Sequence, residues 1–308
     1  MISSTKIKVV GVGGSGGNAI LRMRKFGIKG VELIAINTDY QDLRKVKADV
    51  KLKIGGEITH GLGTGMNPEI GEAAAKQSRG EIKEVLKGAD MVFITGGLGG
   101  GTGSGAAPVV AKIAKNLGAL TVAIVTLPFS FEGAYRKKIA ENSRDLLKRK
   151  VDALLVIKND RLLEILDPKM PILNAFWVCD DILREAVKGI SDLILLPGIV
   201  NVGFADVKSI LENSGTVLFG IGKSRTEKRA EEAVRFALSS PLLDLTPKGA
   251  KGVLFNVSGE DIALSEIEEI GKIITEEINP KARVIFGAVQ DEKLNKGEIK
   301  VTVIITGF

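Results

Sequence analysis

Short apolar runs alternate with one-sided helical stretches through the first half of this chain. The runs near 6–12, 31–36, 50–54, 90–95, 120–126 and 153–157 have the length and β-branched content of buried strands, and helical segments lie between most of them. Strands separated in this way predict a parallel sheet covered by helices on both faces, a doubly wound α/β arrangement. After Pro168 and Pro171 the period changes. Residues 172–196 read as one long helix, with apolar positions including Phe176, Leu183, Val187, Ile190 and Ile194, and Pro197-Gly198 ends it. Such length suggests a spine joining two domains. Beyond it, helices are predicted over 204–213, 225–239 and 265–278, and strands over 216–221, 252–257, 283–287 and 299–306. The expected organisation is a first domain over 1–171, a connecting helix over 172–198 and a smaller α/β domain over 199–308.

Two glycine clusters change this picture from fold to chemistry. One follows the fourth predicted strand, running from Gly96 through Gly99, Gly100, Gly101, Thr102, Gly103 and Ser104 to Gly105, with a helix expected from Ala106 to Leu117. The other, Gly11-Val12-Gly13-Gly14-Ser15-Gly16, follows the first strand and precedes a helix expected from Asn18 to about Lys25. Glycine lets successive backbone N–H groups face one anion, and a helix start favours negative charge. A linker of such composition would not sit between an apolar strand and an apolar-faced helix. In a doubly wound sheet of order 3-2-1-4 the first and fourth strands are neighbours, so both glycine segments line one crevice at the carboxyl ends. A dinucleotide needs only the first segment; a triphosphate can use both. Asn37-Thr38-Asp39 borders the same crevice, where Asp39 could hold a ribose hydroxyl or face a phosphate-bound Mg²⁺ through water. A Walker loop is excluded, since Gly222-Lys223-Ser224 has Val217 where the first glycine belongs.

Composition narrows the options further. At 308 residues, 44% hydrophobic and 26% charged, the chain is ordinary for a soluble protein of two domains. The apolar stretch 190–202 is broken by Asp192 and Pro197-Gly198, so no direct membrane insertion is expected. The first residues lead into a strand without a signal peptide, and cytoplasmic residence is expected. One cysteine, Cys179, and one histidine, His60, leave no disulfide and no metal cluster to build; Cys179 reads as a small helix residue and His60 as a loop residue. The net charge of +6 is concentrated only at 136–138 and 148–150, and with 5% aromatic residues it reads as a solvated surface, not a nucleic-acid interface.

The ordered motifs resemble FtsZ, the bacterial and archaeal cell-division GTPase family of the tubulin superfamily, from about Ile7 to Phe308. The most specific match is Gly-Gly-Gly-Thr-Gly-Ser-Gly at 99–105. Support comes from Gly-Val-Gly-Gly-Ser-Gly-Gly-Asn at 11–18, Asn37-Thr38-Asp39, Asn67-Pro68-Glu69, Pro-Phe-Ser-Phe-Glu-Gly at 128–133, Asn159-Asp160 and the closing segment 301–308. The resemblance implies a tubulin/FtsZ-like fold, with the first domain binding GTP or GDP. Gly13, Gly14, Ser15, Gly16, Gly17 and Asn18 would hug the nucleotide, and Gly99, Gly100, Gly101, Thr102, Gly103 and Ser104 would form the second phosphate segment. Glu132 and Arg136 match ribose-side contacts, although as an i,i+4 pair they also read as a surface ion pair. Asn159 joins the site. Phe176 and Asp180 share a helix face, so a ring can stack on guanine while a carboxylate accepts its N1–H and N2–H; Trp177 has no assigned role. No metal-ligating residues are expected, Mg²⁺ being held mainly by nucleotide phosphates and water.

The same resemblance implies head-to-tail protofilaments in which one molecule completes the next molecule's site. The family's Asn-x-Asp-x-x-Asp pattern corresponds to Asn201-Val202-Gly203-Phe204-Ala205-Asp206, so Asn201 and Asp206 are the catalytic candidates and Gly203 replaces the first acid. Slow turnover is therefore expected. A hydrolysis-deficient filament scaffold is the alternative. A nicotinamide oxidoreductase built on GxGxxG and Asp39 is the remote alternative, leaving the second glycine segment unused. FtsZ proteins usually carry a disordered tail for membrane-tethering partners; with none seen after Phe308, tethers and division proteins are expected to be reached only indirectly, at the division site.

Overall fold

The computed structural model of the protein describes residues 5–164, 166–196, 198–200, 202–240, 247–291 and 294–308. Two compact units divide the chain, Met1–Lys188 and Gly189–Phe308.

The first unit runs β1 (Ile7–Val12), α1 (Gly13–Phe26), β2 (Val31–Asn37), α2 (Tyr40–Lys45), β3 (Val50–Lys53), α3 (Gly56–Thr59), α4 (Pro68–Gln77), α5 (Arg79–Leu86), β4 (Met91–Gly97), α6 (Gly101–Asn116), β5 (Leu120–Leu127), α7 (Ala134–Lys148), β6 (Ala153–Lys158) and α8 (Asn159–Leu162), and includes α9 (Ile172–Leu195) up to Lys188. Its strands lie in the order β3-β2-β1-β4-β5-β6, every pair parallel. Val10, Ile34, Ile36, Val92, Ile94 and Ala123 of the sheet pack with Ala74, Ala107, Val110 and Ala111 of α4 and α6 in one core. Small side chains on these helices let them approach closely. The expected switch point is present, with β1 and β4 side by side in register from Ile7↔Met91 to Gly11↔Thr95.

Both glycine segments differ from expectation in one respect. They are not loops ahead of helices but the first turns of the helices, since α1 begins at Gly13 rather than Asn18 and α6 at Gly101 rather than Ala106. Glycine is a poor helix former, by about 1 kcal/mol relative to alanine. Packing overrides that preference. A Cβ on Gly16 would lie 2.6 Å from the Gly11 carbonyl carbon, and one on Gly101 would collide with Thr64 Oγ1. Within α6, Pro108 lacks the N–H that would bond the Ser104 carbonyl, and the Ser143 hydroxyl donates to that oxygen instead at 2.7 Å.

The second unit carries α10 (Phe204–Leu211), β7 (Gly215–Ser224), α11 (Arg229–Leu238), β8 (Gly252–Gly259), α12 (Leu264–Glu277), β9 (Arg283–Gln290) and β10 (Ile299–Thr306). Here β10 runs antiparallel between β7 and β8, and β9 pairs parallel with β8. Val234 and Ala237 of α11 and Ile270 and Ile274 of α12 pack on Phe255, Val257, Val301 and Val303. The helix expected from 225 starts only at Arg229. Ser224 still pairs with Ile299 in the sheet, and its hydroxyl donates to Glu232 Oε2 at 2.6 Å, so the chain turns before coiling.

Candidate functional site

Chains leaving the adjacent carboxyl ends of β1 and β4 enter α1 and α6 directly, which brings two helix starts together. A Cβ on Gly13, whose φ is +73°, would lie 2.9 Å from the Gly103 nitrogen. Only glycine permits this approach. Neither start has a side-chain cap or an acidic residue in its first turn, with Val12 and Gly100 at the cap positions. Elsewhere in the unit the sequence supplies caps: Asp39 accepts from the Asp42 N–H on α2, and Asn67 from the N–H groups of Glu69 and Ile70 on α4. Two sets of unpaired amides with positive helix ends, left uncapped side by side, suit an anion.

These amides border a cavity of about 420 Å³, within the usual ~300–1,000 Å³ of small-molecule sites. Among the expected residues, Gly13, Gly14, Ser15, Asn18, Gly100, Gly101, Thr102, Gly103, Glu132, Arg136, Asn159, Phe176 and Asp180 line it. Gly16, Gly17, Gly99 and Ser104 do not. Gly16 packs under Gly11, Gly17 faces Val46, and the Ser104 hydroxyl accepts the Gly99 N–H at 2.8 Å. Asp39 is also absent from the lining, its carboxylate serving as the α2 cap. Lining residues to which the sequence reading gave no part in the site include Thr64, from the glycine-rich 61–65 segment, Thr126, Pro128, quoted only within the 128–133 motif, and Cys179, read only as a small helix residue. Thr102 is held by a 2.7 Å hydroxyl–hydroxyl bond to Thr38.

The end of the cavity away from the glycines is aromatic and acidic. Phe176 meets Phe129 edge-on at 5.4 Å between ring centres, and Phe129 stacks on Phe131 at 4.9 Å. Glu132 accepts the Phe129 N–H and pairs with Arg136 at 2.8 Å. Asn159 is 4% exposed, and its Oδ1 has no hydrogen-bond partner among the described residues; the same holds for Arg136 Nε. Asp180 is 8% exposed, and burial pushes its carboxyl up to about 6 despite a 3.3 Å bond from Arg22 Nε. Arg22 lies on α1 one turn beyond Asn18, a spacing the sequence contains but which carries no signal without α9 beside it. Its guanidinium sits 5.0 Å above the Trp177 ring, which gives Trp177 a partner. Burial drives the neighbouring Cys179 thiol up to about 12, so it is an inert wall.

No group of three or more His, Cys, Asp or Glu among the described residues is placed to hold a metal ion. Among the described residues lining the cavity, the carboxylates are Glu132 and Asp180, both engaged by arginines. His60 is the left-handed cap closing α3. In the second unit, Asp206 lies in the first turn of α10, where its Oδ2 accepts the Gly203 N–H at 3.0 Å. Asn201 lies outside the described residues. A second cavity, of about 460 Å³, lies among α4, α6 and α7. Its lining mixes apolar Val109, Ile113 and Ile139 with charged side chains such as Glu72, Lys76 and Lys112, and the two uncapped helix starts open on the first cavity, not on this one.

The family model for the Tubulin/FtsZ GTPase domain matches residues 6–167, and that for the FtsZ C-terminal domain matches residues 215–308. Cell division protein FtsZ 1 of Thermococcus kodakarensis is 54% identical over 302 residues, covering 98% of this chain and 80% of that protein. A solved empty FtsZ dimer from M. jannaschii matches with a TM-score of 0.95 at 51% identity, covering 99% of this chain and 89% of that one. CetZ2 from Haloferax volcanii, solved as a GTPγS-bound protofilament, matches with a TM-score of 0.81 at 25% identity, covering 98% of this chain and 92% of that one.

Proposed function

This chain belongs to the tubulin/FtsZ family and is a GTPase of the FtsZ cell-division type, and on that premise we propose how its residues divide the work. The phosphates of GTP lie against the amides at Gly13–Ser15 and Gly100–Gly103, with the hydroxyls of Ser15 and Thr102 adding donors. Glu132 and Arg136 take the ribose. Phe176 stacks on the base, Asp180 accepts guanine N1–H and N2–H, and Asn159 contributes its unpartnered amide oxygen. Adenine offers no such pair of donors, so the carboxylate selects guanine. The observation that carries this reading is the pair of uncapped helix starts meeting at Gly13 and Gly103 over one cavity. Mg²⁺ would arrive on the phosphates with its own water, no group of three or more His, Cys, Asp or Glu among the described residues being placed to cage it; it would neutralise charge on the transferring phosphoryl group.

Self-association is a property of the family, and the protofilament of the CetZ2 relative supports a head-to-tail polymer here. In that polymer Asp206 of one molecule reaches the nucleotide of the next and aligns a water on the γ-phosphorus. The water oxygen bonds to phosphorus, the bridge to the β-phosphate breaks, the water's proton passes to phosphate oxygen or solvent, and GDP and inorganic phosphate result. Asn201 assists from the same segment. Gly203, where a second acid is expected, slows the step, and the soluble protein acts at the division site. Phosphate release measured beside sedimentation of polymer tests this. GTP-dependent pelleting with slow phosphate release is expected; pelleting with no release makes the protein a scaffold, and the absence of both pelleting and GTP retention would sink the reading.

A further inference from the structure

Asp180 faces a contradiction that the cavity alone does not resolve. A carboxylate that accepts two guanine donors must be ionised, yet burial opposes its charge. The charged groups facing it are Arg22 from α1 and Asp181 on its own helix, and Asp181 is occupied by Arg184 at 2.8 Å. Arg22 Nε reaches Asp180 Oδ2 at 3.3 Å, and Trp177 supports the guanidinium from its ring face at 5.0 Å. Arg22 does not line the cavity, whereas Asp180 does. Each carboxylate oxygen has two lone pairs, so the bond from Arg22 leaves acceptor capacity for the base on both oxygens.

We propose that Arg22, braced by Trp177, is the positioning residue for guanine recognition: it keeps the Asp180 carboxylate charged and oriented while the base is bound. This rests on the assignment of Asp180 to the guanine edge. An arginine is suited to the task because its planar group can donate to a carboxylate and stack on an indole together.

The test is the pH profile of GDP binding between pH 5 and 8.5, with circular dichroism confirming the fold. In the wild type, binding is expected to fall on acidification with a midpoint near pH 6. In Arg22→Gln the midpoint should rise by about one pH unit or more, weakening GDP on the order of tenfold at pH 6 and recovering to near wild type at pH 8.5. Arg22→Lys, which retains the charge, should keep the midpoint close to wild type. Superimposable profiles for wild type and Arg22→Gln, or a loss of affinity that is equal at every pH, would overturn the proposal. A measurement on the unaltered protein stands beside the variants. The Arg22 Nε–H resonance should remain hydrogen-bonded in the GDP complex, and its release on binding would make Arg22 a plug the base displaces. Asp180→Asn separates this inference from the one beneath it. It should exchange guanosine for xanthosine diphosphate, and if both affinities are unmoved the guanine assignment itself is wrong.

Discussion

Replacing Gly13 and Gly100 separately with alanine divides folding from phosphate binding. Gly100 has φ −90° and ψ 175°, extended backbone open to any residue, and an added Cβ there meets no protein atom within 4 Å. Its substitution should leave stability within ~0.5 kcal/mol, or raise it slightly through a stiffer unfolded chain. The methyl group nevertheless enters the rim where the α6 amides meet the ligand. Displacing one or two amide–phosphate hydrogen bonds, at about 1.5–3 kcal/mol for a bond to a charged group, weakens GTP roughly 10- to 150-fold or more. Gly13 is the opposite case. Its φ of +73° and the 2.9 Å approach to the Gly103 nitrogen place strain in the protein itself. The left-handed backbone alone costs about 1–2 kcal/mol, equivalent to a melting point about 2–8 °C lower for a unit of this size. Thermal melts without nucleotide, paired with calorimetric titration of GTP, read both quantities. A Gly100→Ala protein that melts normally and binds GTP within twofold of wild type would refute the role given to the α6 amides.

Three further outcomes are expected. In the absence of nucleotide, Asp180 has a folded-state pKa near 6, above the ordinary aspartate value near 4, so its contribution to stability is complete below pH 4 and is lost as pH rises through 6, by up to about 3 kcal/mol; Asp180→Asn should flatten that slope in denaturant titrations, and an unchanged slope would remove Asp180 as its source. Phe176→Ala should weaken GDP by roughly 5- to 150-fold through lost stacking on the base, with a small stability loss from the Phe129 edge contact, and an unchanged affinity would place the base elsewhere. Asp206→Ala should abolish phosphate release while leaving monomer GTP affinity intact, and Gly203→Asp, at an extended position where a new Cβ meets only Asp206 Oδ2 at 3.4 Å, should raise turnover about tenfold or more; a collapse of affinity in the first variant would sink the shared-site scheme.

The strand order and both glycine segments were legible because each depends on local pattern: apolar runs of strand length, and glycine where backbones must touch. The helix starts at Gly13 and Gly101 were not. Propensity argues against helices that open on four glycines, as α1 does, or three, as α6 does, and only the contacts of Gly16 with Gly11 and of Gly101 with Thr64 show what excludes a side chain. Ser104 illustrates the converse. Its place in the glycine motif suggests a phosphate donor, but its hydroxyl is spent on the Gly99 amide, a bond within one turn that no periodicity reveals. Arg22 and Trp177 were invisible for a third reason, since their meaning arises only when α1 and α9, far apart in sequence, lie side by side.

The distribution of charge around the cavity explains why a nucleotide bound by one molecule would persist until a second molecule arrives. In the proposed site, phosphate binding would rest on backbone amides and helix ends, which donate but cannot accept a proton. Among the described lining residues the carboxylates are Glu132 and Asp180, which are paired with Arg136 and Arg22 and are proposed for the ribose and base end. His60 is absent from the lining, and Cys179 stays protonated because burial raises its pKa. In the proposed site a monomer would hold its triphosphate among groups that stabilise charge, with no carboxylate of the described lining assigned to the γ-phosphate end to align the attacking water. The missing acceptor must come from outside the cavity. Asp206, at the start of α10 with one oxygen held by the Gly203 amide, is an oriented carboxylate of that kind. On the proposed scheme, hydrolysis would be tied to assembly because the aligning carboxylate is supplied by a second molecule.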